Sequence, residues 1–376
     1  MWNSNDFSRA GLTAFPGAGK KNKTYRLMKP DMKKLKRLCL MPFAAALLSA
    51  VSCETIYDGL APCQTEYRVT FKYDRNINGA DAFHKEVKSV DLWMFTPEGS
   101  LVWHGSEAGA ALQDEDYAMT VPVGPGIYDV VVWGGLDGQP AYVLGSSSPA
   151  SLDDLNLAIR TVSDAAGTYV GEDLTGLYHG FTRVTFEEPE YGGQSDVLVP
   201  LMKNTNVLRV MLQYYKIENA VGKVMKPEDF DFIIDDSVSQ MGYDNRIIGN
   251  SPFAYRWWMK TAVSAGFDYE GTRAGEITQV NGLLSERTVG RLMADRQPVL
   301  RVVRNSDGEE IIRLPLVKYL LMIKGEYRKD MGNQEFLDRL DEYNLTFFLD
   351  GDDKWYTGAG VHINSWVVVP GQDVEF

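Results

Sequence analysis

The chain has 376 residues, 44% of them hydrophobic and 11% aromatic, enough for a sizeable core spread over about two domains. Ten of its 38 Lys and Arg but only Asp6 and Asp31 of its 51 acids lie in residues 1–53, which leaves 28 basic against 49 acidic residues, a net charge of −21, after Cys53. So acidic a body is repelled by nucleic acid and by anionic headgroups, which excludes both as partners of the folded part, and the three cysteines, Cys39, Cys53 and Cys63, cannot build a disulfide framework.

Residues 1–31 hold few apolar runs and precede what reads as an export signal, so translation is expected to start at Met32. Within them Gly17-Ala18-Gly19-Lys20-Lys21 has a trace of a phosphate loop, but no Ser or Thr follows the Lys and no strand precedes it. Residues 32–52 form the signal. Lys33-Lys34-Leu35-Lys36-Arg37 is a compact basic region, and residues 38–52 are fifteen uncharged positions, too short for a comfortable membrane span. They end in Ala50-Val51-Ser52-Cys53, small residues before a cysteine, as lipoprotein signal peptidase requires. Cleavage is expected between Ser52 and Cys53, with the Cys53 thiol taking the lipid. The several acyl chains of a mature bacterial lipoprotein hold firmly where one chain binds only marginally. A lipid-anchored protein of the bacterial outer membrane is therefore expected.

After a short tether, Glu66-Tyr67-Arg68-Val69-Thr70-Phe71-Lys72-Tyr73 alternates apolar with polar residues, the period of a half-buried strand. Further strands are expected over residues 87–95, 127–133 and 196–201, with turns such as Pro97-Glu98-Gly99 and Gly124-Pro125-Gly126 between them. Residues 151–160 read as a helix, with Ser151 and Asp154 as a capping box and Leu152, Leu155 and Ile159 on one face. A polar stretch over residues 161–193 then leads to a boundary near Asn204.

The second half repeats the pattern, with strands expected over residues 207–215, 230–235, 299–303, 345–349 and 361–369 and helices over residues 316–324 and 333–343. Short strands with turns between them and few helices predict a mainly β protein of two antiparallel β-sandwich domains with a few short helices. The expected division is an over-long extension over 1–31, the signal over 32–52, an N-terminal sandwich with its lipid tether over 53–203, and a C-terminal sandwich over 204–376.

Residues that could carry chemistry are sparse. The four histidines, His84, His104, His179 and His362, are scattered without a metal-ligating partner motif, and neither a nucleophile elbow nor a dinucleotide-binding turn occurs. No catalytic residue, metal ligand or cofactor is assigned, and no enzyme activity is expected. Asp74-Arg75-Asn76-Ile77-Asn78-Gly79-Ala80-Asp81 copies the first half of an EF-hand loop, but Lys85 stands where a bidentate Glu is needed. That loop and Asp350-Gly351-Asp352-Asp353 are expected to be polar turns. Trp257, Trp258, Trp355 and Trp366 would stack on a glycan if exposed, and core filling is the competing reading.

The sequence resembles the fimbrial anchor lipoproteins of Bacteroides-type bacteria, the FimB-like and minor-fimbria anchor proteins. The likeness lies in Ile56-Tyr57-Asp58-Gly59-Leu60-Ala61-Pro62-Cys63 close after the lipid Cys, in Phe71-Lys72-Tyr73-Asp74 and in Leu177-Tyr178-His179-Gly180. It continues through Gln334-Glu335-Phe336-Leu337-Asp338-Arg339, Asp341-Glu342-Tyr343 and Ile363-Asn364-Ser365-Trp366-Val367-Val368-Val369. The resemblance implies two transthyretin-like sandwiches and a structural role, with fimbrial shaft or accessory subunits as partners and the outer membrane reached through lipid. It also implies subunit joining by strand addition to an incomplete sandwich. Only Gln372 to Phe376 follow Pro370-Gly371, which leaves little to donate and favours an anchor over a shaft or tip subunit of the same fold. Arg68 within the first strand reads either as a trypsin-like processing site or as a solvent-facing strand residue. A surface glycan-binding lipoprotein is the alternative function.

Overall fold

Two apolar runs, Leu92 to Phe95 and Val130 to Trp133, are too continuous for a sheet with one wet face, and the computed structural model shows why: their sheet is covered on both sides. The structure describes residues 65–190, 192–215, 223–256, 258–268, 277–325 and 328–369. The covered sheet has five strands in the order Met202–Lys203, Tyr178–Phe186, Gly126–Gly134, Ser89–Phe95 and Leu101–Ala108. Val90, Leu92, Met94, Val130 and Val132 face a three-stranded sheet made of Gly193–Pro200, Thr65–Lys72 and Met119–Val121. Trp93, Phe95, Val131 and Trp133 belong to the larger core that takes in the second half of the chain. Trp93 and Trp133 have no solvent exposure, and burial of side chains this large stabilises by about 2–3 kcal/mol each.

Beyond residue 204 a six-stranded sheet runs Met259–Asp268, Ile277–Gly290, Thr205–Tyr214, Glu342–Leu349, Val361–Ile363 and Trp366–Val368. A second runs Glu309–Pro315, Val299–Arg304, Phe230–Asp236, Phe253–Tyr255, Gly167–Val170 and Val162–Asp164. A four-stranded sheet joins Ile247–Gly249, Gln240–Gly242, Asn156–Ile159 and Tyr142–Leu144. Hydrogen bonding thus crosses residue 204, at Gln240–Gly242 against Asn156–Ile159 and at Phe253–Tyr255 against Gly167–Val170. The mainly β, sandwich-type fold expected from the strand pattern forms, with three short α-helices among the described residues: Phe83–Glu86, Leu316–Met322 and Asn333–Arg339. Pairing is mostly antiparallel, but Thr65–Lys72 with Gly193–Pro200, Thr205–Tyr214 with Glu342–Leu349 and Phe253–Tyr255 with Gly167–Val170 are parallel pairs.

Several local expectations are corrected. Residues 151–160 are not a helix: Leu152–Asp154 make one 3-10 turn and Asn156–Ile159 a strand. The Ser151–Asp154 pairing exists, with Ser151 N–H and Oγ donating to Asp154 Oδ2 at 3.0 and 2.9 Å. What overrides the helical spacing is that Leu155, Leu157 and Ile159, two apart, enter the core while the segment pairs on both flanks. The polar stretch 161–193 contains the strands Val162–Asp164, Gly167–Val170 and Tyr178–Phe186. Residues 361–369 fold back as a hairpin of Val361–Ile363 and Trp366–Val368, turning at Asn364 with φ 52°. The helix from Asn333 stops at Arg339, because Tyr343 is claimed by the strand Glu342–Leu349.

Candidate functional site

Thr65–Lys72 is the first described strand after the expected tether, and its alternation decides its setting. Tyr67, Val69 and Phe71 point into the core, while Glu66, Arg68 and Thr70 point out. Hydrogen bonding holds it on both flanks, in parallel register with Gly193–Pro200 from Thr65↔Gly193 to Lys72↔Pro200 and antiparallel to Met119–Val121. Arg68 reaches across to Asp196 with Nε and Nη2 donating at 2.8 and 2.7 Å, and this fork holds the Asp196 carboxyl below the usual carboxylate range. Thr120 Oγ1 donates to Glu66 at 2.7 Å on the other flank. Arg68 is therefore a paired cross-strand residue in a doubly flanked strand, the setting in which a protease finds no extended free segment.

At the far end of this strand lies a polar junction with the second half. Lys203 Nζ donates to Glu86 Oε2 at 3.2 Å and to Asp341 Oδ2 at 2.5 Å. Burial pulls this ammonium down, yet Asp341 and Glu86 together hold its pKa above the ordinary value. Tyr178 OH donates to the same Glu86 oxygen at 3.0 Å, and Arg339 Nη1 approaches the Asp74 carbonyl at 3.5 Å. Arg291 and Asp338, each 9% exposed, form a two-pronged pair at 2.8 and 2.9 Å. Gln334 Nε2 adds a bond to Asp338, and Arg291 Nη1 donates to the Asn245 carbonyl. Asn204 and Asn245 exchange side-chain amide bonds at 2.7 and 3.0 Å. His179 lies buried against Trp133 with Nε2 2.7 Å from the Tyr243 carbonyl, and burial pushes its pKa down to about 4. The segments 177–180, 334–339 and 341–343 singled out in the sequence thus meet at this junction, where they pack and bond.

Open backbone is found at sheet edges. Met259–Asp268, the longest sheet-terminal strand among the described residues, pairs on one flank only, with Ile277–Gly290. Gly193–Pro200 likewise ends its sheet, with Leu198 51% exposed. Such rows of unpaired N–H and C=O groups can template an added strand. Beside the first edge, Trp258, Phe232, Arg256, Lys260 and Arg301 line a groove of ≈ 700 Å³.

The remaining sequence candidates take structural places. Cys53, Ser52, Cys39, Cys63, residues 56–62, the extension 1–31, Trp257 and residues 370–376 lie outside the described residues. In the loop resembling half an EF-hand, Asp81 Oδ1 accepts from the Tyr73 and Phe83 amides at 2.9 and 3.0 Å, and buried Asn76 donates to the Tyr73 and Ala80 carbonyls. Asp81 and Asn76 thus close the turn, and Asp74 pairs with Lys72 at 2.7 Å. Asp350 Oδ1 accepts from the Asp352 and Lys354 amides, closing the second acidic turn. His84 bonds the Leu112 carbonyl, His104 stacks on Trp93 at 4.5 Å, and His362 packs edge-on to Phe348. Trp258 is buried, Trp355 half-buried and Trp366 exposed. Among the described residues no helix is long and apolar enough to cross a membrane. Sequence reading did not find Asp196, Lys203, Asn204 or Arg291, because nothing local marks a partner more than forty residues away.

The sequence model of the fimbrillin-A associated anchor proteins Mfa1 and Mfa2 matches residues 60–370. A candidate adhesin from Bacteroides thetaiotaomicron is similar at 32% identity and TM-score 0.70, over 83% of this chain and 100% of that one. A candidate polysaccharide-binding protein from the same species is similar at 25% identity and TM-score 0.65, over 82% of this chain and 99% of that one. The fimbrial anchor protein Mfa2 from Porphyromonas gingivalis shares the fold, at 15% identity and TM-score 0.55, over 82% of this chain and 99% of that one. No curated protein matches.

Proposed function

Because the chain belongs to the family of fimbrillin-A associated anchor proteins Mfa1 and Mfa2, we propose that it holds the base of a fimbrium in the outer membrane through acyl chains on Cys53. A fimbria-associated place at the cell surface comes with the family. The anchoring step is our own reading, and one observation carries it. The chain enters its first strand twelve residues after Cys53, and that strand is bonded on both flanks with Arg68 held by Asp196. A lipid on Cys53 would thus be continuous with the core of a sandwich and would be kept.

The first shaft subunit, or an accessory one, then joins by adding a strand to an open edge of the anchor, with Met259–Asp268 offering the longest flank. Main-chain hydrogen bonds supply affinity in such a joint, and the side-chain pockets beside it supply selectivity. The residues assign no catalytic step and no cofactor. In cells, Cys53→Ala is expected to abolish acyl-lipid labelling and to release fimbriae into the medium. Fimbriae that stay attached and keep normal length in this variant would sink the proposal.

A second reading rests on the groove at Trp258, given that a similar structure is described as a candidate polysaccharide-binding protein. Under it, oligosaccharide titration perturbs tryptophan fluorescence saturably, and a titration without response would sink this reading.

A further inference from the structure

Resting on the proposed tether at Cys53, we propose that the parallel pair Thr65–Lys72 and Gly193–Pro200 is a force clamp, loaded in shear when the fimbrium is pulled. The membrane end of the chain leads into Thr65, the N-terminal end of its strand. The partner strand leaves its sheet at Pro200, the C-terminal end, and continues through Leu201, Lys203 and Asn204 into the strand Thr205–Tyr214 of the second half. Two parallel strands are therefore pulled from opposite ends: lipid draws one by its start, and the fimbrial side draws the other by its finish.

Contacts reinforce that axis. At the far end of the first strand the linking segment and the second half both touch it: Leu201 N–H donates to the Lys72 carbonyl at 2.7 Å, and Arg339 of the second half approaches the Asp74 carbonyl. Lys203 ties the same end to Glu86 and Asp341. Seven steps of about 3.3 Å separate Lys72 from Thr65 in this eight-residue strand, so the load runs along it for roughly 23 Å.

Shear makes every cross-strand bond of the register Thr65↔Gly193 to Lys72↔Pro200 carry load together, whereas peeling from one end loads them one after another. The Arg68–Asp196 fork and the bond from Thr70 Oγ1 to the Val197 carbonyl at 3.1 Å lie within the sheared span and oppose the same slip. Slippage by two residues would also drag Tyr67, Val69 and Phe71 out of their core sites. The strand that follows the tether is thus the element whose rupture an anchor least tolerates, and its parallel pairing resists the direction of pull.

Single-molecule pulling on the full chain tests this. In one variant Cys39→Ser and Cys63→Ser leave Cys53 as the sole thiol handle, with a C-terminal tag as the other. In the second, Cys53→Ser is added and Arg75→Cys moves the thiol to an exposed loop just past the first strand, so that both strands are drawn from the same end and peel. The first geometry is expected to need at least about twofold more force for its first rupture at equal loading rate, since forced unfolding reads the barrier in the direction pulled. Equal forces, or a weaker first geometry, would overturn the clamp. That outcome is separate from the anchor reading, which falls instead if Cys53→Ala cells keep acyl labelling or attached fimbriae.

Discussion

Replacing Asp338 by Ala leaves the Arg291 guanidinium buried at the junction with two of its donors unmet. Both residues are 9% exposed, and the bonds lost are the 2.8 and 2.9 Å pair together with the one from Gln334. Removing one partner of a buried, two-pronged pair costs about 3–5 kcal/mol, because the surviving charge keeps its desolvation penalty without its counter-charge. With a urea slope of about 3 kcal/mol/M for a chain of this size, the unfolding midpoint should fall by roughly 1–1.7 M with the slope unchanged. The double variant Arg291→Met with Asp338→Leu removes both charges and should regain most of the loss, giving a coupling of about 2 kcal/mol or more in a double-mutant cycle. A loss below about 1 kcal/mol for Asp338→Ala, or no recovery in the double variant, would show that the junction does not depend on this pair. The outcome bears on function, since the pair joins the helix Asn333–Arg339 to the chain just after the strand Ile277–Gly290 where the two halves meet.

His179 supplies a pH test. Its imidazole is buried neutral, with a pKa about 4 in the folded chain against 6.5 when unfolded. Between those values the unfolded chain binds a proton that the folded chain does not, so stability falls as pH drops through the window and flattens below it. The total is about 3 kcal/mol, and His179→Gln should remove this part of the slope between pH 7 and pH 4 in urea titrations. An unchanged slope would mean that His179 is solvated. Gly180→Ala places a Cβ 2.7 Å from Leu201 Cδ2 and Val199 Cγ1 and 2.9 Å from the Pro200 carbonyl. Because backbone cannot yield as a flexible side chain does, a loss of about 1–3 kcal/mol is expected in thermal or urea unfolding.

Alternation and turn chemistry in the sequence predicted Thr65–Lys72, Phe230–Asp236, Val299–Arg304 and Glu342–Leu349 to within about three residues, because strands with one face buried carry their own period. The two short helices near the C-terminus were legible for the same reason. Residues 151–160 fit two patterns, Leu152, Leu155 and Ile159 a helix and Leu155, Leu157 and Ile159 a strand, and only neighbours on both flanks decide between them. Long strands such as Ile277–Gly290 were not foreseen, since Gly282 and Glu286 interrupt the apolar pattern there.

The candidate site divides along the same line. By itself the sequence determined the acidic body and the sandwich class, and it alone motivates the proposed lipid site at Cys53, because each is written in contiguous residues whose chemistry needs no distant partner. Tertiary structure alone decided that Arg68 is spent on Asp196, that the segments around His179 and Asp338 meet at one junction, and that the first strand is paired in parallel. Pairing direction depends on how the chain returns more than a hundred residues later, and no local period encodes that return.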